Sequence, residues 1–146
     1  MRTAFVGIAA LGMIVVASLP AKAHHSHPAF YDSCTTLTIE GQVDGVEWKN
    51  PHVLIDLMSD DKKAYRAEWT SAGALERDSV QPPRVGDRVV VTGNPMRDEA
   101  AIRAKFPDLK FGPRERPVVD LIRITRASDG WSWSRPEPPS ADCGQK

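Results

Sequence analysis

Three of the four histidines in this 146-residue chain fall within four positions, His24-His25-Ser26-His27. The fourth is His52, in the turn Asn50-Pro51-His52. The segment before the cluster gives it chemical meaning. Met1-Arg2 is followed by an apolar run, Ala4 to Val16, and then by Pro20-Ala21-Lys22-Ala23. A short basic start, an apolar stretch and an Ala-x-Ala site read as a cleaved secretory signal peptide over 1–23. The apolar run is short for a membrane span, and no second long one follows, so no span is expected after cleavage. Cleavage would make His24 the first residue of a mature, periplasmic or secreted chain.

A first-residue histidine offers its α-amine and its own imidazole to one ion, closing a chelate ring. With a further imidazole the set has three nitrogens, which suits the tetragonal preference of Cu(II). His25 and His27 are the nearest additional imidazoles, and His52 is the one the folded body can supply. Copper is therefore the favoured metal. Zinc is the alternative, content with histidines and a carboxylate such as Asp32. The bland alternative stays open: a polar chain start with no physiological metal, and a His52 that merely satisfies its turn.

The aromatic residues form a second set. Trp48 precedes the histidine turn and Asn50 opens it, and Trp131 and Trp133 share one parity near the C-terminal end. Each pair is a candidate ligand-binding surface, with Trp131 and Trp133 as a stacking platform for a sugar or peptide. Trp48 is more naturally a core or barrel-mouth residue, and Trp131 and Trp133 can equally cover the barrel end.

Other chemistries find little support. The chain carries 19 Lys+Arg and 19 Asp+Glu, and cleavage removes Arg2 and Lys22. A slightly acidic mature chain without a basic stripe argues against a nucleic-acid partner. There is no Gly-x-Ser-x-Gly, His-Glu-x-x-His or phosphate-binding glycine loop. We expect a binding module rather than an enzyme, with a copper-dependent redox enzyme ranked third. The two cysteines, Cys34 and Cys143, are an even count in an exported chain, so a disulfide is expected ahead of thiolate metal ligation.

The elements that must position these residues follow from periodicity. Leu37, Ile39 and Val43 alternate with polar residues, and the phase switches near Gly41 and Gly45, predicting a first strand bent by a β-bulge. Val53-Ile55-Leu57 and Tyr65-Ala67-Trp69 predict strands two and three of a meander. Ser71 should cap a short helix over 72–77. Arg88 to Thr92 and Val118 to Arg126 are further strands, and 100–106 is a short strand or a loose turn. The Pro-rich stretch from Pro136 should not pack. This order predicts an all-β fold with a small helix: an OB-like, five- to six-stranded closed antiparallel barrel. A β-sandwich is the runner-up. The expected layout is an N-terminal arm at 24–35, a barrel at 36–128 and a Trp/Pro-rich tail at 129–146.

Several of these segments carry a family likeness. His24-His25-Ser26, Leu37-Thr38-Ile39-Glu40-Gly41, Val46-Glu47-Trp48-Lys49-Asn50-Pro51-His52 and Gly86-Asp87-Arg88-Val89-Val90-Val91-Thr92-Gly93 resemble the domain-of-unknown-function 6152 family of small exported bacterial proteins. The likeness runs from about His24 to Arg126. It implies a small β-barrel and export, and it implies no activity. The cysteine pair and Trp131/Trp133 stand outside that pattern.

The leading expectation is thus an exported module that binds a metal ion through its histidine cluster. Its rival is a metal-free module binding a peptide, a glycan or an extracytoplasmic partner protein.

Overall fold

A computed structural model describes residues 27–109, 116–136 and 143. Nine elements follow one another: α1 (His27–Phe30), β1 (Leu37–Glu47), β2 (Leu54–Ser59), β3 (Ala64–Glu68), α2 (Ala72–Arg77), β4 (Arg88–Pro95), α3 (Glu99–Lys105), β5 (Val118–Arg126) and β6 (Ser132–Ser134).

The sheet order is β3-β2-β1-β4-β5-β6, and β3 also pairs with β5, which closes a five-stranded barrel. This is the strand connectivity of the OB-fold barrel, with α2 between β3 and β4. The closing pair is parallel, Ala67 opposite Val119 and Glu68 opposite Asp120. The barrel is therefore mixed, where alternation alone predicted an antiparallel one. The chain leaves β3, passes through α2 and β4, and returns in the direction of β3. A crossover of that length is what a parallel pair requires.

β1 makes closure geometrically possible. Its first half pairs with β4 and its second half with β2, so the strand must bend between them. The expected bulge lies between Val43 and Gly45, where Asp44 is the extra residue. Gly41 sits at the handover. A Cβ there would stand 2.3 Å from the Met58 carbonyl oxygen, so only glycine lets the backbones approach so closely.

Inward side chains fill the barrel at period two. Ile39, Val43, Ile55, Leu57, Ala67, Val89, Val91, Val119, Leu121 and Ile124 are all buried. Trp69 and Leu75 join them from the β3–β4 connection. As expected, α2 is capped by Ser71, whose hydroxyl accepts from the Ala74 N–H. Of residues 100–106, expected as a strand or a loose turn, 100–105 belong instead to α3 and Phe106 is its C-cap. The Asp98 side chain accepts from the Ala101 N–H, and Arg103 pairs with Glu99 one turn earlier. A cap and an (i, i+4) ion pair favour helix over a strand with no hydrophobic alternation.

The arm and the C-terminal segment are fastened to the barrel. Tyr31 bridges Met96, the Asp32 N–H donates to the Pro95 carbonyl, and Phe30 stacks on Phe106 with ring centroids 5.3 Å apart. Asn94, 2% exposed, donates to the Thr35 carbonyl at 2.7 Å. β6 adds to the free edge of β5, Trp133 opposite Ile124. Just beyond it, Arg135 forms a two-pronged ion pair with the buried Asp120. The Cys34–Cys143 disulfide is formed, across a sequence separation of 109. Residues 137–140, expected not to pack, lie outside the described residues, as does the expected signal peptide.

Two stability tests follow. Arg135→Met should lower unfolding free energy in urea by about 3–5 kcal/mol, because it removes the two-pronged cationic partner of the buried Asp120 carboxylate. Replacing both Cys34 and Cys143 by Ser should cost about 2–5 kcal/mol, the range for removing a native disulfide that closes a long loop.

Candidate functional site

His52 lies in the β1–β2 connection, two residues before β2 and next to the end of β3. The backbone fixes this place. The Val53 N–H donates to the Thr70 carbonyl and the Trp69 N–H to the Val53 carbonyl, which extends the β2–β3 ladder past both strands. The His52 Nδ1 is 3.1 Å from the Trp69 carbonyl oxygen. A carbonyl can only accept, so this contact assigns the proton to Nδ1 and leaves the Nε2 lone pair available. The side chain keeps 41% of its area exposed.

The same Nδ1 is 3.4 Å from Glu68 Oε1. The other oxygen of that carboxylate, Oε2, accepts a 2.6 Å hydrogen bond from the Tyr31 hydroxyl. Tyr31 is 5% exposed and directly follows α1, which begins at His27. A single carboxylate therefore touches both the folded-body histidine and the end of the histidine-bearing arm. Neither Tyr31 nor Glu68 was selected from the sequence. Only the position of Glu68 beside Trp69 on a strand was visible there, with nothing to indicate its partners.

The structure brings His52, Trp48 and Asn50 into one turn and sets the turn against α2. The Asn50–Pro51 peptide bond is cis. Trp48 Nε1 donates to Glu76 Oε1 at 2.8 Å, and the Gly73 N–H points to Asn50 Oδ1 at 3.4 Å. Both residues thus hold the turn to the helix. The backbone of His27 begins α1, while His24 and His25 lie outside the described residues. Among the described residues, no three His, Cys, Asp or Glu side chains converge as a metal-binding group. Asp32, weighed as a zinc ligand, is occupied by its own turn. It accepts from the Thr35 hydroxyl at 2.7 Å and the Cys34 N–H, and these bonds hold its carboxyl below the usual range.

Trp131 and Trp133 are half-buried and pack against the barrel core. Trp69 meets Trp133 edge to face at 5.1 Å and Trp131 at 6.4 Å. The Arg126 guanidinium lies 5.3 Å from the Trp131 ring centre. The cluster seals the core where β6 crosses it. The buried indole N–H of Trp69 finds no hydrogen-bond acceptor among the described residues. Elsewhere, a cavity of about 320 Å³ opens where β1 and β5 begin and β4 ends, lined by Leu37, Met96, Arg97, Arg116 and Val118 among others. None of the sequence-selected residues lines it.

These observations define a class: a closed OB-like barrel with an N-terminal arm docked beside the loop between its first two strands. The chain belongs to the family of unknown function DUF6152, which it matches over residues 11–104. That span covers the arm, β1 to β4 and nearly all of α3, and leaves out β5, β6 and Cys143. No curated protein and no solved structure matches the chain. No helix among the described residues is long and apolar enough to cross a membrane.

The outer surface near the site carries one strongly organised ion pair. Arg66 grips Asp56 with two nitrogens, at 2.7 and 2.9 Å. That bond, opposed by partial burial, holds the Asp56 carboxyl below its ordinary value. A depressed folded-state value contributes stability above the ordinary carboxylate range, and the contribution is lost as pH falls through the folded value. Thermal melts between neutral pH and pH 2 should therefore show a smaller acid loss for Asp56→Asn than for wild type. Parallel curves would contradict this.

Proposed function

We propose that this protein is an exported metal-binding module, with copper the favoured ion and zinc the alternative. Its ligands are the His24 amine and imidazole, His25 or His27 from the arm, and the His52 Nε2 from the barrel. The observation that carries the reading is the state of His52. Its Nδ1 is held by a backbone carbonyl with a carboxylate close behind, which leaves Nε2 as the free donor. Metal-binding histidines are oriented in this way, with the second ring nitrogen donating to a carbonyl or carboxylate.

The place in the fold supports the same reading. OB-fold barrels use the loop between strands one and two and the adjoining strand face for ligands, and His52 and Glu68 occupy those positions. This is an analogy of fold, and the donor chemistry has to carry the choice of ligand. The Cys34–Cys143 disulfide agrees with an oxidising compartment, where export through a signal peptide would deliver the chain.

The test needs protein whose first residue is confirmed as His24 by mass spectrometry. Cu(II) titration followed by paramagnetic resonance would compare wild type, His52→Ala and a form with one extra residue before His24. Weaker binding and altered nitrogen hyperfine structure are expected in both altered proteins. Equal affinity and equal spectra in all three would refute the site and leave a metal-free binding module as the better reading.

A further inference from the structure

We propose that the cavity where β1 and β5 begin and β4 ends binds a small amphipathic carboxylate, with its apolar chain inside and its carboxylate on Arg116. This site shares no residue with the metal site above, and it stands or falls independently of it.

The cavity holds about 320 Å³, at the small end of ligand sites, which run from about 300 to about 1,000 Å³. Apart from two arginines its lining is apolar: Leu37, Met96, Val118 and Val119, with two prolines. Leu37 keeps 36% of its area in water, a large apolar side chain that an apolar ligand would cover. The backbone around the cavity has few donors to offer. Proline has no N–H, and the Met96 and Arg97 N–H groups are spent on the Val118 and Phe30 carbonyls. The polar side chains of the lining are Arg97 and Arg116, and no acidic residue lines it. An apolar hollow with cationic and no anionic side chains complements a molecule with an apolar body and one negative charge.

The hydrogen bonding of Arg116 points to a carboxylate as that charge. Arg66 and Arg126 grip Asp56 and Asp129 with Nε and Nη2, the paired edge that matches two carboxylate oxygens. Arg116 is used differently. Its Nη1 alone serves both oxygens of Asp44, each at 3.0 Å, and its Nε and Nη2 make no hydrogen bond among the described residues. Asp44 therefore holds the guanidinium in place without occupying its paired edge. Arg97, whose Nη2 lies 3.7 Å from Asp32 Oδ1, adds to the positive field.

The test is proton–nitrogen correlation NMR of the disulfide-bonded protein, titrated at neutral pH with sodium hexanoate, hexylamine and hexanol. Hexanoate should give saturable shifts at the Leu37, Met96, Val118 and Val119 amides, and the amine and alcohol should bind far more weakly. Arg116→Gln should weaken hexanoate binding about ten- to a hundredfold, the range that hydrogen bonds to charged groups contribute. Arg116→Lys keeps the charge without the paired edge and should also weaken it. Asp44→Asn spares the guanidinium and should leave binding nearly unchanged, which separates the ligand contact from the structural ion pair. Leu37→Trp narrows the cavity without touching Asp44 and should weaken binding by a route that does not alter Arg116. The proposal is overturned if hexanoate gives no saturable shifts, if hexylamine or hexanol binds as well, or if both Arg116→Gln and Leu37→Trp bind hexanoate like wild type.

Discussion

Three polar side chains in one register row across the barrel wall have to be satisfied before this fold can form. Glu68 on β3 stands opposite Asp120 on β5, and Asp120 stands opposite Asn94 on β4. Asp120 and Asn94 are each 2% exposed. Burying such groups without partners costs several kcal/mol for a neutral amide and more for a carboxylate. Segments outside the five barrel strands contribute partners to all three. Tyr31 comes from the arm to Glu68, Arg135 comes from beyond β6 to Asp120, and the Thr35 carbonyl accepts from Asn94. The row therefore acts as an attachment line. Both chain segments outside the five-stranded barrel dock on it, and the disulfide between Cys34 and Cys143 then joins those two segments to each other.

Closure of the barrel sets where that row lies. β1 bends at Gly41 and at the bulge around Asp44, so β4 and β2 can flank it while β3 and β5 meet on the far side. The parallel β3–β5 contact is what brings Glu68 beside Asp120. The two carboxylates share a row because β5 runs parallel to β3 at this seam. His52 and Glu68 themselves are set side by side by the β2–β3 ladder and its extension through Val53 and Trp69.

Much of the barrel was legible in the sequence because it depends on local signals. Alternation marked β1 to β3, β-branched runs marked β4 and β5, glycine marked the bend in β1, Ser71 marked α2, and the even cysteine count marked the disulfide. The features that escaped include the short helix α1 in the arm, the direction of β5 and the helix α3. The direction of β5 relative to β3 is decided by the intervening crossover, to which a period-two pattern is blind. α3 was missed because it has one buried apolar residue, Ile102, and is set by the Asp98 cap and an ion pair. The candidate site was half legible. Histidines declare their chemistry by type, and His52 was visible in its turn. Tyr31 and Glu68 are 37 residues apart and meet only through the tertiary fold, so nothing local announces their bond.

Trp131 and Trp133 show how position changes the meaning of a residue. Two tryptophans at alternate positions on a polar strand have the spacing of a stacking surface. Here their rings sit edge to face with Trp69, and Arg126 lies over one of them. Their area goes into closing the end of the core where β6 joins β5. The polar end of the same structure is different in kind. His52 has one nitrogen committed to the backbone and the other left open, beside a carboxylate already tied to the arm. An aromatic cluster packed on the core contributes by covering apolar surface, while an oriented imidazole with a free nitrogen is useful only if something comes to it. That difference is why the metal reading rests on His52.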